Sequence, residues 1–148
     1  NEECPEGAKT ETMALAGPVA CEQFVAETGV DCFAAGIGNA HGFYKGKPEL
    51  QFDLLQEIER RTGVPLVLHG GTGIPVEDIR KAITMGIAKI NFSTVMRSGF
   101  IKKLHETLNA DPAQLDLMKL LTPAKQKFVE VAKAHMKMVM SDGKAWQP

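Results

Sequence analysis

Apolar runs and polar segments punctuated by glycine alternate along the chain, and their spacing predicts strands and helices in turn. Nearly continuous apolar runs at residues 30–37, 64–68 and 87–92 are typical of strands buried on both faces. Helical periodicity precedes, separates and follows these runs. The resulting order of helix, strand, helix, strand, helix, strand, helix indicates an α/β fold with a parallel sheet covered on both sides.

Capping residues set the expected helix boundaries. Asp53 and Gln56 have the spacing of a capping box, and Thr122-Pro123 is expected to open a long C-terminal helix. Cys32 is expected to be a small core residue of the first strand. The predicted helices run from residue 18 to a stop at 29, from 53 to 63, from 75 to 86, from 94 to 108, within 111–121, and from 122–123 to about 141.

The length of 148 residues limits the architecture. Three strands are few for an independent parallel sheet, and a complete βα barrel needs about 250 residues. The chain is therefore either a small open α/β domain or part of a larger barrel. We expect one domain over residues 1–148, with a flexible loop at 1–13 and a helical extension at 112–143.

Composition excludes several classes of function. The 17 basic residues against 18 acidic ones give no basic excess, so a nucleic-acid partner is not expected. We see neither a signal peptide nor an apolar run long enough to span a membrane, so no membrane partner is expected. The 3 cysteines form no CxxC pair, which favours a reducing compartment, with the cytoplasm as the expected location. The first residue is not Met, which leaves room for a preceding segment.

Polar residues follow each predicted strand, at the edge where ligands of parallel α/β folds bind. His41-Gly42 follows the first strand, and His69-Gly70 follows the second. Neighbouring parallel strands lie about 4.8 Å apart, so both imidazoles can reach one metal ion. Two histidines that are merely hydrogen-bonded in loops are the alternative.

The glycine loop at residues 69–73 also has a pattern that suits a phosphate group. Its glycines let backbone N–H groups approach an anion, and the helix that opens at Pro75 adds its positive end. Asn91 and Thr94, after the third strand, can donate further hydrogen bonds. The alternative is that these glycines serve only tight turns.

Residues 34–50, residues 64–97 and the C-terminal helix resemble the class II, zinc-dependent ketose-bisphosphate aldolases. The strings AHG, LHGGTG and KINFST carry the resemblance in this order, over about residues 14–144. It implies that the chain is the C-terminal part of a (β/α)8 TIM barrel, with about three βα units and C-terminal helices. The first five strands would lie outside this sequence.

The resemblance also implies roles for individual residues. His41 and His69 are expected to be two of three Zn²⁺ ligands, and a monovalent cation is implied near the phosphate loop. No catalytic residue is expected in this chain, because the third histidine and the acid/base aspartate belong to the absent N-terminal part of the barrel. The expected substrate-binding residues are Gly42, Gly70, Thr72, Asn91, Ser93 and Thr94.

The implied activity is reversible aldol cleavage of fructose- or tagatose-bisphosphate to dihydroxyacetone phosphate and glyceraldehyde 3-phosphate. The implied partners are the sugar bisphosphate, the N-terminal half of the barrel and further copies in a dimer or tetramer. Two alternatives remain open at this point. One is a metal-free phosphate-binding βα-barrel enzyme, and the other is a non-catalytic phosphate-binding or assembly module.

Overall fold

The computed structural model describes residues 11–12, 14–42, 44, 46 and 48–145. By their packing they fall into two compact units, residues 1–92 and 93–148. Of the loop predicted at 1–13, only Glu11 and Thr12 are described, and they form a short strand; the rest lies outside the described residues. A single domain over residues 1–148 stays a prediction.

The first unit alternates short strands with helices. β3 and β4 pair in parallel, with Leu66 opposite Ile87 and Leu68 opposite Ile90. Phe33 forms an isolated parallel bridge to Leu66, whose backbone N–H donates to the carbonyl of Gly86, just before β4, at 3.3 Å. The elements are β1 (Glu11–Thr12), α1 (Pro18–Thr28), β2 (Ala40–His41), α2 (Phe52–Thr62), β3 (Leu66–Leu68), α3 (Val76–Thr84) and β4 (Ile87–Ile90).

The strand predicted at residues 30–37 is reduced to the single bridge at Phe33. Beyond that point the backbone has other partners, since the carbonyl of Gly36 accepts from Ala16 N at 2.8 Å and that of Ile37 accepts from Gln51 N at 2.8 Å. These bonds fasten the segment to loops instead of to β3. The prediction for Cys32 was also wrong, because its side chain is exposed.

Most helix boundaries in this unit agree with the sequence pattern. α1 begins at Pro18 and ends before Gly29, which adopts the left-handed conformation with φ of 64°. The predicted capping box is wrong, because α2 begins at Phe52 and its N-cap, Gln51, makes no side-chain cap bond. Asp53 instead lies in the first turn, where a carboxylate stabilises the positive helix end.

Buried aliphatic side chains fix the strands against the helices of the first unit. Leu66 and Leu68 of β3 are almost fully buried, as are Leu55 and Ile58 of α2 and Ile79 of α3. Burying one such side chain contributes roughly 1.5–3 kcal/mol. The packed core therefore holds the end of β3, where His69 follows, in a defined place.

The second unit is a pair of helices, α4 (Thr94–Ala110) and α5 (Leu117–Met138). The two helices predicted at 111–121 and from 122–123 onward are one. Asp116 caps it by accepting from Met118 N at 2.9 Å, and Pro123 lies inside it. Packing of the buried side chains of Leu120 and Ala124 on either side of the proline outweighs the backbone bond that proline cannot donate.

In the described part of the chain, no helix has a stretch long and apolar enough to cross a bilayer.

A cavity of about 390 Å³ in the second unit is lined by three apolar and two cationic side chains, and none of the predicted metal ligands borders it. Those lining residues are Arg97, Phe100, Ile101, Lys125 and Phe128.

Candidate functional site

The two predicted histidines lie side by side, although β2 pairs antiparallel with β1 in one two-stranded sheet and β3 pairs with β4 in another. The ring centroids of His41 and His69 are 5.7 Å apart, and the rings meet edge to face at 62°. His41 ends β2 and is exposed, while His69 directly follows β3 and is half-buried. The structure thus brings together the two side chains that were predicted as metal ligands.

The spacing of the pair fits one shared zinc ion. Two imidazoles that bind zinc at about 2.1 Å with a tetrahedral angle have ring centroids about 5 Å apart. The observed distance is close to this value, and both rings are accessible. Among the residues that the structure describes, no group of three or more His, Cys, Asp or Glu side chains is arranged to hold a metal. The pair alone is too small a set to complete such a site, and the role of His41 and His69 as zinc ligands stays a prediction.

Close backbone contact between the two histidine loops requires glycine at position 70. Gly70 has φ of +67°, and a Cβ there would overlap the carbonyl oxygen of Ala40. A Cβ at Gly71 would lie 2.8 Å from the Phe92 ring. Both positions serve a close approach, which leaves no room for a side chain.

A buried asparagine joins the loops through its side chain. Asn39 is fully buried; its Oδ1 accepts from Ile37 N at 2.9 Å, and its Nδ2 donates to the carbonyl of His69 at 3.0 Å. An amide that satisfies backbone groups on both segments contributes to holding them together, because breaking either bond leaves a buried polar group unpaired.

The Tyr44 hydroxyl makes a second connection. It accepts from Ala40 N at 2.8 Å and donates to the carbonyl of Gly70 at 3.2 Å. Burial raises the pKa of the Tyr44 phenol above its ordinary value, and the bond to Ala40 opposes this only in part. The hydroxyl therefore remains a donor at neutral pH.

Asn91 lies against His69 just after β4. Its Nδ2 is 3.0 Å from Nδ1 of His69, and its Oδ1 accepts from Lys89 Nζ at 2.6 Å. The Asn91 carbonyl also accepts from Gly71 N at 3.2 Å. Asn91 therefore links the end of β4 to both His69 and the glycine loop. Its role at a phosphate group stays a prediction.

The remaining predicted phosphate residues lie in two places. Gly42 and Gly70 both have positive φ, and Thr72 is buried within the glycine loop. Ser93 is the N-cap of α4 and Thr94 is its first residue, in the second compact unit.

The helix ends differ in their suitability for an anion. The first turn of α3, which was expected to add a positive end, contains Glu77 and Asp78. These carboxylates already compensate the helix dipole and repel an anion. The first turn of α4 has no acidic residue, so of these two helix ends it is the better place for a phosphate group.

Sequence reasoning missed three residues that contact this site. Asn39, Tyr44 and Lys89 each bond to a histidine loop or to Asn91; all three lie in segments that carry the family resemblance, but none was given a role in the site. The position of Asn39, a polar residue between an apolar run and a histidine, was the available signal. Lys89 opens the KINFST string, but the pattern assigned no function to Lys89 or to Tyr44.

Comparison with known proteins identifies the family. The family described as fructose-bisphosphate aldolase class-II matches residues 1–144. The chain is 44% identical over 135 residues to a probable fructose-bisphosphate aldolase of Bacillus subtilis, covering 91% of this chain and 47% of that protein. It is 42% identical over 137 residues to the fructose-bisphosphate aldolase of Geobacillus stearothermophilus, covering 93% of this chain and 48% of that protein.

Solved structures give the same picture of the fold. The YdjI aldolase of Escherichia coli K12 superposes with a TM-score of 0.79 at 37% identity, over 88% of this chain and 48% of that one. A putative fructose-1,6-bisphosphate aldolase of Coccidioides immitis gives 0.78 at 30% identity, over 88% of this chain and 45% of that one. The chain spans about half the length of the relatives it matches. These matches confirm the predicted fold class, part of a (β/α)8 TIM barrel. With its histidine pair, its glycine loop and these relatives, the chain belongs to the class II fructose-bisphosphate aldolase family.

Proposed function

We propose that the protein to which this chain belongs cleaves and re-forms the carbon–carbon bond of a ketose 1,6-bisphosphate in a zinc-dependent reaction. Fructose 1,6-bisphosphate is the first substrate to test, with tagatose 1,6-bisphosphate second. The products would be dihydroxyacetone phosphate and glyceraldehyde 3-phosphate. Family membership supports the class of reaction.

The paired rings of His41 and His69 are the observation that carries the proposal. Their spacing suits one zinc ion, and their backbones are tied together through Asn39 and Tyr44. Two ligands leave room for a third protein ligand and an open position, as in catalytic zinc sites. We assign the third ligand, a histidine, and the acid/base aspartate to the N-terminal half of the barrel, outside this sequence.

Each part of the chain has a separate task in this reaction. Zinc, when bound, supplies Lewis acidity at the ketone oxygen of the substrate. The backbone at Gly42 and Gly70, the Thr72 hydroxyl and the Asn91 amide are proposed to hold the phosphate of the dihydroxyacetone half. Ser93 and Thr94, at the N-terminus of α4, are proposed separately as phosphate-binding residues. Holding the phosphate fixes the position of the ketone, which lowers the entropic part of the barrier.

Replacement of His69 tests the proposal in the intact protein. His69→Ala is expected to lower the zinc content and to abolish cleavage of fructose 1,6-bisphosphate in a coupled assay. His105→Ala is the matched control, because His105 is an exposed histidine of α4 outside the site. Full activity of His69→Ala, or equal zinc loss in both variants, would refute the assignment.

Other properties implied by the resemblance stay predictions. They are a monovalent cation near Gly42, Gly70 and Thr72, assembly into a dimer or tetramer, and location in the cytoplasm. Flame photometry of the dialysed protein and light scattering test the first two directly.

A further inference from the structure

The Tyr44 hydroxyl connects the two peptides that flank the histidine pair. Ala40, which donates to the hydroxyl at 2.8 Å, directly precedes His41. Gly70, whose carbonyl accepts from it at 3.2 Å, directly follows His69. One oxygen atom therefore bonds to both loops, next to each proposed metal ligand.

We propose that Tyr44 is a positioning residue that sets the separation of His41 and His69 and thereby raises the affinity of the pair for zinc. The proposal rests on the proposed function, because it takes the two histidines as ligands of one ion. Tyr44 contacts neither ring in any observed bond and acts through the backbone. Groups that orient metal ligands in this way typically change metal affinity 10–100-fold when they are removed.

The geometry around Tyr44 favours this role over general support of the fold. A Cβ at Gly73 would lie 3.3 Å from the Tyr44 ring, so the ring packs directly over the glycine loop. Phenylalanine can keep this contact and lose only the two hydrogen bonds. Asn39 still links its own segment to the carbonyl of His69. Loss of the hydroxyl is therefore expected to loosen the pair and to leave the fold in place.

The test compares Tyr44→Phe with wild type in the intact protein, using zinc competition against a chromophoric chelator. Thr62→Val is the matched control, because it removes a half-buried hydroxyl that donates to the Ile58 carbonyl at 2.9 Å within α2. α2 ends before β3 begins, whereas His69 follows the end of β3. We expect zinc affinity to fall at least 10-fold in Tyr44→Phe and to stay unchanged in Thr62→Val. At saturating zinc, kcat of Tyr44→Phe should recover to near the wild-type value.

The other possible results distinguish a failure of the role of Tyr44 from a failure of the proposed function. Wild-type zinc affinity in Tyr44→Phe overturns the role of Tyr44 and leaves the proposed function intact. A wild-type protein that binds no zinc overturns the proposed function and, with it, this inference. Amide hydrogen exchange of metal-free wild type provides a test that needs no variant. Ala40 N–H is expected to be protected, and exchange as fast as in an exposed loop would overturn the proposal.

Discussion

The side-chain nitrogen of Asn91 lies 3.0 Å from Nδ1 of His69, and Lys89 determines which atom of the Asn91 amide faces the ring. Because Asn91 Oδ1 accepts from Lys89 Nζ, its NH2 group points to the imidazole. Nδ1 of His69 is then the acceptor, so a neutral His69 carries its proton on Nε2. An ion that binds through Nδ1 must displace the Asn91 amide.

Asn91→Ala is expected to weaken binding of dihydroxyacetone phosphate by about 10–100-fold. One hydrogen bond to a charged group contributes about 1.5–3 kcal/mol, which corresponds to this range. Calorimetric titration of the intact protein measures the dissociation constant. Asn109→Ala, at an exposed position near the end of α4, serves as control. An unchanged dissociation constant in Asn91→Ala would remove Asn91 from the phosphate site.

Lys89→Met is expected to have a smaller effect in the same direction, because it removes only the group that orients the Asn91 amide. The effects of Lys89→Met and Asn91→Ala should not add in the double variant, since Lys89 acts through Asn91. A double-mutant cycle on the same dissociation constant measures this coupling. Fully additive effects would show that Lys89 acts independently of Asn91.

Gly70→Ala is expected to destabilise the protein by about 3 kcal/mol or more, since its Cβ would overlap the Ala40 carbonyl in addition to the cost of positive φ. Gly63→Ala is the matched control. It has φ of +64°, close to the +67° of Gly70, but open space around its Cβ, so we expect a cost of about 1 kcal/mol. Urea unfolding of the two variants separates strain from overlap. Equal losses would mean that the histidine loops are not in close contact.

The sequence pattern predicted the central part of the fold well. Pro18, Gly29, Gly63 and Gly86 marked helix ends correctly because their backbone preferences act locally. Segment 30–37 was harder, since Ala16 and Gln51, distant in sequence, bind the carbonyls that a strand would have used. Pro123 was misleading for a similar reason, as tertiary packing keeps the helix continuous through it.

The candidate site was predictable only in part. His41 and His69 each follow an apolar run, and these equivalent positions in the sequence were enough to predict that the two rings lie close together. The bonds from Asn39 and Tyr44 depend on loop conformation, which hydrophobic periodicity does not encode. The same applies to Lys89, whose bond to Asn91 follows from the geometry at the end of β4.

Tyr44 is expected to ionise above the ordinary pKa of 10.0, because burial disfavours the phenolate. The native state then holds this proton more tightly than the unfolded state does. The contribution of the protonated Tyr44 phenol to the free energy of unfolding is therefore complete below pH 10. It is lost as the pH rises through the pKa of Tyr44 in the native state. Absorbance of phenolate at alkaline pH, with Tyr44→Phe as the blank, follows the titration. Ionisation at or below the ordinary value would contradict the burial of the ring.

The location of zinc in a crystal of the intact protein tests the central claim most directly. An anomalous difference map collected at the zinc absorption edge is expected to show one peak about 2.1 Å from a ring nitrogen of both His41 and His69. A peak that contacts only one of these rings, or zinc bound elsewhere with this pair empty, would contradict the account.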